Sequence, residues 1–83
     1  MTQILFFGAL RDAAGAPERA VNFPASISTV AELRAWLSSQ DAALGEALSA
    51  PGIQTAVDQT LARDDTSISG ASEIAFMSPM SGG

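Results

Sequence analysis

The sequence predicts an α+β domain, with one main helix packed on one face of a small mixed sheet. Three observations predict it. Short apolar runs open and close the chain, at residues 3–7 and 73–77, and runs of that length bounded by turn residues read as strands. Between them one stretch, residues 29–39, carries apolar residues at helical spacing behind a capping signature. The chain has 83 residues, 47% of them apolar. A chain so short buries only about 60% of its unfolded surface and has room for a single core.

Gln3-Ile4-Leu5-Phe6-Phe7, closed by Gly8, is the first strand. Its period of two puts Ile4 and Phe6 on one face and Leu5 and Phe7 on the other. Residues 10–14 suit a helical turn, with Gly15 as a stop and Pro17 just beyond. Residues 19–23 alternate, with Arg19, Val21 and Phe23 on one side, and Pro24 ends this second strand.

Thr29-Val30-Ala31-Glu32 fits a capping box, in which the threonine oxygen accepts a backbone N–H and the glutamate reaches back. Val30, Leu33 and Leu37 form the buried stripe of the main helix, with Trp36 beside it as a core-edge residue or an interface residue. Leu44 and Leu48, four apart, suit a short second helix over residues 41–48 before Pro51-Gly52 interrupts the chain.

Residues 53–57 alternate β-branched side chains, Asp58-Gln59 suits a two-residue hairpin turn, and residues 60–63 return. Residues 64–72 are polar and hold Gly70, with Ile68 as their one apolar anchor. Glu73-Ile74-Ala75-Phe76-Met77 is the last strand, with Phe76 facing the core. Ser78 precedes Pro79, and a residue before proline avoids the helical region, so the chain leaves the sheet extended. The order gives a mixed sheet of about five strands with one main helix on one face. A β-grasp arrangement has this order, its first and last strands side by side in the middle. The domain is expected over residues 1–77, and residues 78–83 as an extended, flexible tail.

Composition narrows the chemistry. Cysteine is absent, which excludes disulfides and a thiolate nucleophile and fits a reducing cytoplasm. Histidine, the commonest general base, is absent too, as are tyrosine and lysine. An enzyme built from this chain alone would have carboxylates, hydroxyls and the arginines to work with. The net charge is −5. With no basic patch, the balance argues against nucleic acid and for basic partners. No segment reaches the ~18 apolar residues of a membrane span, and no charged region precedes the first apolar run as in a signal peptide. The lack of lysine fits either protection against self-acylation or an arginine-rich, alanine-rich genome.

The sequence closes on Ser81-Gly82-Gly83. Two residues without Cβ can thread a channel too narrow for side chains, and a terminal carboxylate, of ordinary pKa about 3.3–3.7, is ionised at neutral pH. A carboxylate is a poor acyl donor until something activates it. The pattern points to a protein used as a reagent, its end activated by one enzyme and consumed by another. An ordinary frayed end is the plain alternative. Extended, residues 78–83 span roughly 20 Å, enough to reach a buried pocket on a partner.

The residues support a resemblance that covers the whole chain. Ile4-Leu5-Phe6-Phe7-Gly8 with Arg11 and Gly15, Thr29-Val30 with Leu33-Arg34, Val57-Asp58-Gln59-Thr60-Leu61, and the stretch from Glu73 to Gly83 resemble the small subunits of molybdopterin synthases, which are ubiquitin-like β-grasp proteins. The resemblance implies a sulfur carrier of molybdenum cofactor biosynthesis that is not an enzyme by itself. A ubiquitin-activating-like adenylyltransferase would use ATP to adenylate Gly83, and a sulfurtransferase system would convert the adenylate to a thiocarboxylate. The molybdopterin synthase large subunit, in a heterotetramer, would pass the sulfur to cyclic pyranopterin monophosphate. The chain itself would bind no cofactor and no metal. Ser81 and Gly82 would thread the partner's channel, and Leu61, Met77, Pro79 and Met80 would dock. Leu61 and Met77 are equally compatible with packing inside, and Arg11 with a local ion pair.

Departures from the family are Asp58 for asparagine, Gly70-Ala71-Ser72 for Asp-Gly-Asp, Met77 for an aromatic and Ser78 for one of two paired prolines. The loop is expected to turn differently, and the tail to be looser and to dock slightly less well. Three other readings share the sequence: a modifier conjugated to protein amines, a carrier for thiamine or cysteine synthesis, and an inert β-grasp binding module.

Overall fold

The structure is a computed structural model and describes residues 1–79. Its elements are β1 (Thr2–Phe7), α1 (Ala9–Ala14), β2 (Glu18–Val21), α2 (Val30–Gln40), α3 (Ala42–Leu48), β3 (Gln54–Val57), β4 (Thr60–Ala62) and β5 (Glu73–Met77). The strands form one sheet in the order β2-β1-β5-β3-β4. β1 and β5 are parallel neighbours, Gln3 opposite Glu73 through Phe7 opposite Met77, and the other pairings are antiparallel. The first and last strands therefore do occupy the middle of a mixed five-stranded sheet.

Period-two geometry divides the residues of β1 and β5 between two faces. Ile4, Phe6, Ile74 and Phe76 face the helices and are fully buried. The Phe6 and Phe76 rings, opposite each other across the parallel pair, stack with centroids 6.3 Å apart. Leu10 and Ala14 of α1, Val30, Leu33 and Leu37 of α2, and Leu44 and Leu48 of α3 close the same core, with Ile68 and Ala71 from the long loop. All three helices thus lie on one side of the sheet.

Three local signals work as the sequence suggests. Thr29 Oγ1 accepts the Glu32 N–H at 3.2 Å, and Glu32 Oε1 accepts the N–H groups of Thr29 and Ser28, at 3.1 and 2.8 Å. Those donors, the Ser28 amide first, hold the Glu32 carboxyl below its ordinary pKa. Asp58 and Gln59 both have positive φ, 47° and 70°, as the tightest hairpin turn requires. Gly15 ends α1 in the left-handed region.

Element ends differ where tertiary partners run out. β2 was expected over 19–23 and is Glu18–Val21. Val21 pairs with Thr2, the first residue of β1, and Phe23 packs instead edge-on against Trp36, centroids 6.5 Å apart. Trp36 is a half-buried core-edge residue. Arg63 leaves β4 because its N–H turns to Thr66 Oγ1 at 2.9 Å. Ile53 precedes β3 and packs against the core instead. The stretch after α2 is a full helix, α3, whose N-cap Asp41 accepts the Leu44 N–H at 3.1 Å.

Candidate docking face and tail root

The face of the sheet turned from the helices is apolar at one end. Across it runs a row set by the register: Leu5 on β1 opposite Ala75 on β5, Ala75 opposite Ala56 on β3, Ala56 opposite Leu61 on β4. One step along the strands lies a second row, Phe7, Met77 and Gln54. Phe7 is 46% exposed and Leu61 69%, while Leu5, Ala56 and Met77 are half-buried. By this register the residues form a contiguous apolar patch, a candidate contact surface. Leu61 and Met77 share this face, separated by Ala56 and Ala75. Phe7 was missed as a surface candidate. The period-two alternation of its strand already turned it away from Phe6, and that was the signal.

Charge divides the same face. Its far end carries Gln3 opposite Glu73, with Glu18 in the next strand accepting the Gln3 side-chain amide at 2.6 Å. Its apolar end is the one from which the chain leaves β5. Among the described residues the ion pairs are Arg19–Asp41 and Arg34–Asp64, so Arg11, exposed on α1, takes part in no local ion pair there. Arg19 also lies over the Phe6 ring and donates to the Ala14 carbonyl, which ties β2 to the ends of two helices. The Leu44 amide, and after it Arg19, keep the Asp41 carboxyl below its ordinary pKa.

Ser78, expected to loosen the start of the tail, is hydrogen-bonded on both sides. Its hydroxyl accepts the Ala9 N–H at 3.0 Å and donates to the Phe7 carbonyl at 3.3 Å. A proline in that place offers no hydroxyl. Gly8 makes the contact possible: it sits at φ 67° and ψ −140°, and a Cβ on it would lie 2.1 Å from Ser78 Oγ. Pro79 follows against Gly52, where a Cβ would come within 3.1 Å of its ring. Phe7, Gly8, Ala47, Ile53, Met77 and Pro79 line an open groove of about 940 Å³ at this point. Met80, Ser81, Gly82 and Gly83, assigned to docking, threading and reaction, lie outside the described residues.

The loop before β5 is anchored by hydrogen bonds at its end. Gly70 has φ 73°, the Thr2 hydroxyl donates to the Ala71 carbonyl at 3.1 Å, and one oxygen of Asp58 accepts the N–H groups of Ser72 and Glu73, each at 3.0 Å. That position needs an acceptor, which aspartate supplies as well as asparagine. Among the described residues no cluster of His, Cys, Asp and Glu suits a metal ion, and no helix is long and apolar enough to cross a membrane.

Comparison with known proteins agrees with this architecture. The model of the ThiS family matches residues 4–83. The molybdopterin synthase sulfur carrier subunit of Escherichia coli K12 is 35% identical over the full length of both chains. The crystal structure of SAMP1 from Haloferax volcanii superposes with a TM-score of 0.81, covering 99% of this chain and 98% of that one at 20% identity. That likeness is one of fold, the ubiquitin-like β-grasp.

Proposed function

Since this chain belongs to the ThiS family of sulfur carriers, we propose that it supplies sulfur for molybdenum cofactor biosynthesis in the cytoplasm. The carboxylate of Gly83 attacks the α-phosphorus of ATP on a ubiquitin-activating-like adenylyltransferase and releases pyrophosphate. A persulfide of the sulfurtransferase then displaces AMP to give an acyl persulfide, and a second thiolate attacks the donor cysteine's sulfur, forming a disulfide and releasing the thiocarboxylate. The carrier docks on a molybdopterin synthase large subunit, whose side chains position the thiocarboxylate sulfur to attack cyclic pyranopterin monophosphate, and water then cleaves the acyl–sulfur bond, so that the sulfur stays on the pterin and the carboxylate returns. ATP belongs to the activating enzyme, and this chain holds no cofactor in the cycle.

The full-length identity to a sulfur carrier subunit of molybdopterin synthase carries this reading. The geometry supports it with a means of docking. Leu5, Phe7, Leu61 and Met77 offer an apolar face that ends where the chain leaves the sheet. A partner pocket that holds a phosphate-bearing substrate and a carboxylate is basic, which suits a carrier of net charge −5.

The test is intact-mass measurement of the protein incubated with its activating enzyme, a sulfur source and ATP. Replacement of one oxygen by sulfur at the terminus is the expected result, and a large subunit added with the pterin should restore the original mass. Conjugates with target proteins and no thiocarboxylate would overturn the carrier in favour of a modifier. An unchanged mass under all conditions would leave an inert binding module.

A further inference from the structure

We propose that Ser78 is a positioning residue that fixes the direction in which the chain leaves the sheet, so that docking of the outer face also aims the tail. Its hydroxyl is tied on both sides, to the Phe7 carbonyl and the Ala9 N–H. Phe7 is the same residue whose ring stands exposed on the docking face, and it pairs with Met77, the neighbour of Ser78. The docking face and position 78 therefore share two residues, with no unbonded link between them. Gly8 provides the space: the hydroxyl occupies the volume in which any side chain at position 8 would begin. Pro79 extends the hold by resting on Gly52 and has its own φ fixed by its ring.

Reach changes as a result. The chain beyond the hold is residues 80–83, which extend at most about 13–14 Å at ~3.3–3.6 Å each, in place of roughly 20 Å counted from Ser78. A short lever with a set origin loses less freedom on entering a channel than a longer one free to swing. Docking by the face and alignment of the end then become separate contributions, the first seen in KM and the second in kcat.

The role in reaction rests on the sulfur-carrier reading, while the hold itself does not, and the two are tested apart. ATP–pyrophosphate exchange by the cognate activating enzyme is measured against carrier concentration for the wild type, Ser78→Ala and Ser78→Thr. Losing both hydrogen bonds of the hydroxyl should lower kcat about fivefold or more with KM unchanged, and threonine, which keeps the hydroxyl, should restore it. Equal kcat values for wild type and Ser78→Ala, or a change in KM alone, would overturn the positioning role. In parallel, amide hydrogen exchange at Ala9 is followed by NMR on the free proteins. It should be about tenfold slower or more in the wild type than in Ser78→Ala. Equal rates would overturn the hold whatever the enzyme does. If the wild type supports no exchange with ATP, the sulfur-carrier reading falls, and the Ala9 rates alone decide whether Ser78 fixes the root.

Discussion

Single residues on the two faces of the sheet are under opposite demands. Thr55 lies on the helix side, 3% exposed, and among the described residues its hydroxyl has no hydrogen-bond partner. A buried hydroxyl without a partner costs free energy that a methyl group of the same shape does not. Thr55→Val should raise stability by about 1 kcal/mol, read from urea denaturation, and a less stable variant would mean that the hydroxyl is satisfied. Phe7 and Leu61, on the other face, should tolerate charge in the free protein. Phe7→Asp and Leu61→Asp should melt within a few degrees of the wild type. Each should weaken binding to the large subunit by a few kcal/mol, because the new charge would be buried unpaired in the complex. Titration calorimetry checks the affinity and circular dichroism the fold. Unaltered affinity in both variants would remove the docking face from the mechanism.

At the scale of elements, α2 depends on its cap and on its fit against α3. Thr29→Ala removes the oxygen that accepts the Glu32 N–H and should cost about 0.5–2 kcal/mol. Glu32 completes the box, and its pKa in the folded state lies below its ordinary 4.5. A lowered carboxyl pKa stabilises the fold above the unfolded value and loses that stabilisation as pH falls through the folded value. The melting-temperature gap between wild type and Glu32→Gln should therefore be full near neutrality and close progressively below about pH 4.5. A gap constant down to pH 2 would contradict the cap. Where α3 crosses α2, Gly45 meets Ser38 so closely that a Cβ would lie 2.8 Å from the serine Cα. Gly45→Ala should destabilise by roughly 1–3 kcal/mol through overpacking, although alanine is the better helix former. Thermal melts distinguish these outcomes, and a more stable variant would show that the helices can move apart.

Across the whole molecule, the legible parts were those written in local patterns. The capping box, the Asp58-Gln59 turn and the period-two runs at both ends state their geometry within a few residues, and they fix the element order. The separation of Leu5 and Phe7 from Ile4 and Phe6 was legible too, since it follows from period-two alternation, but it did not mark Phe7 as a surface candidate. What was not legible depends on residues distant in sequence. Gly8 and Ser78 are seventy positions apart, and nothing near either says that a hydroxyl fills the place of a missing Cβ. The early end of β2 goes with the packing of Phe23 against Trp36, and the alternation over 19–23 carries no trace of it. Nothing in the sequence around Gly45 says that its lack of a side chain is what admits Ser38 of α2.

The parallel pairing of β1 and β5 also has a mechanical meaning. The two strands lie side by side through five opposed residue pairs, and the chain enters β1 at one end of the pair and leaves β5 at the other. Tension between Met1 and Pro79 pulls along the strands in opposite directions, so the inter-strand bonds are loaded together in shear and not peeled one after another. A partner or an unfolding machine that draws on the tail thus meets the strongest direction of the domain first, and the same tail can be gripped, threaded and released while the sheet behind it stays whole.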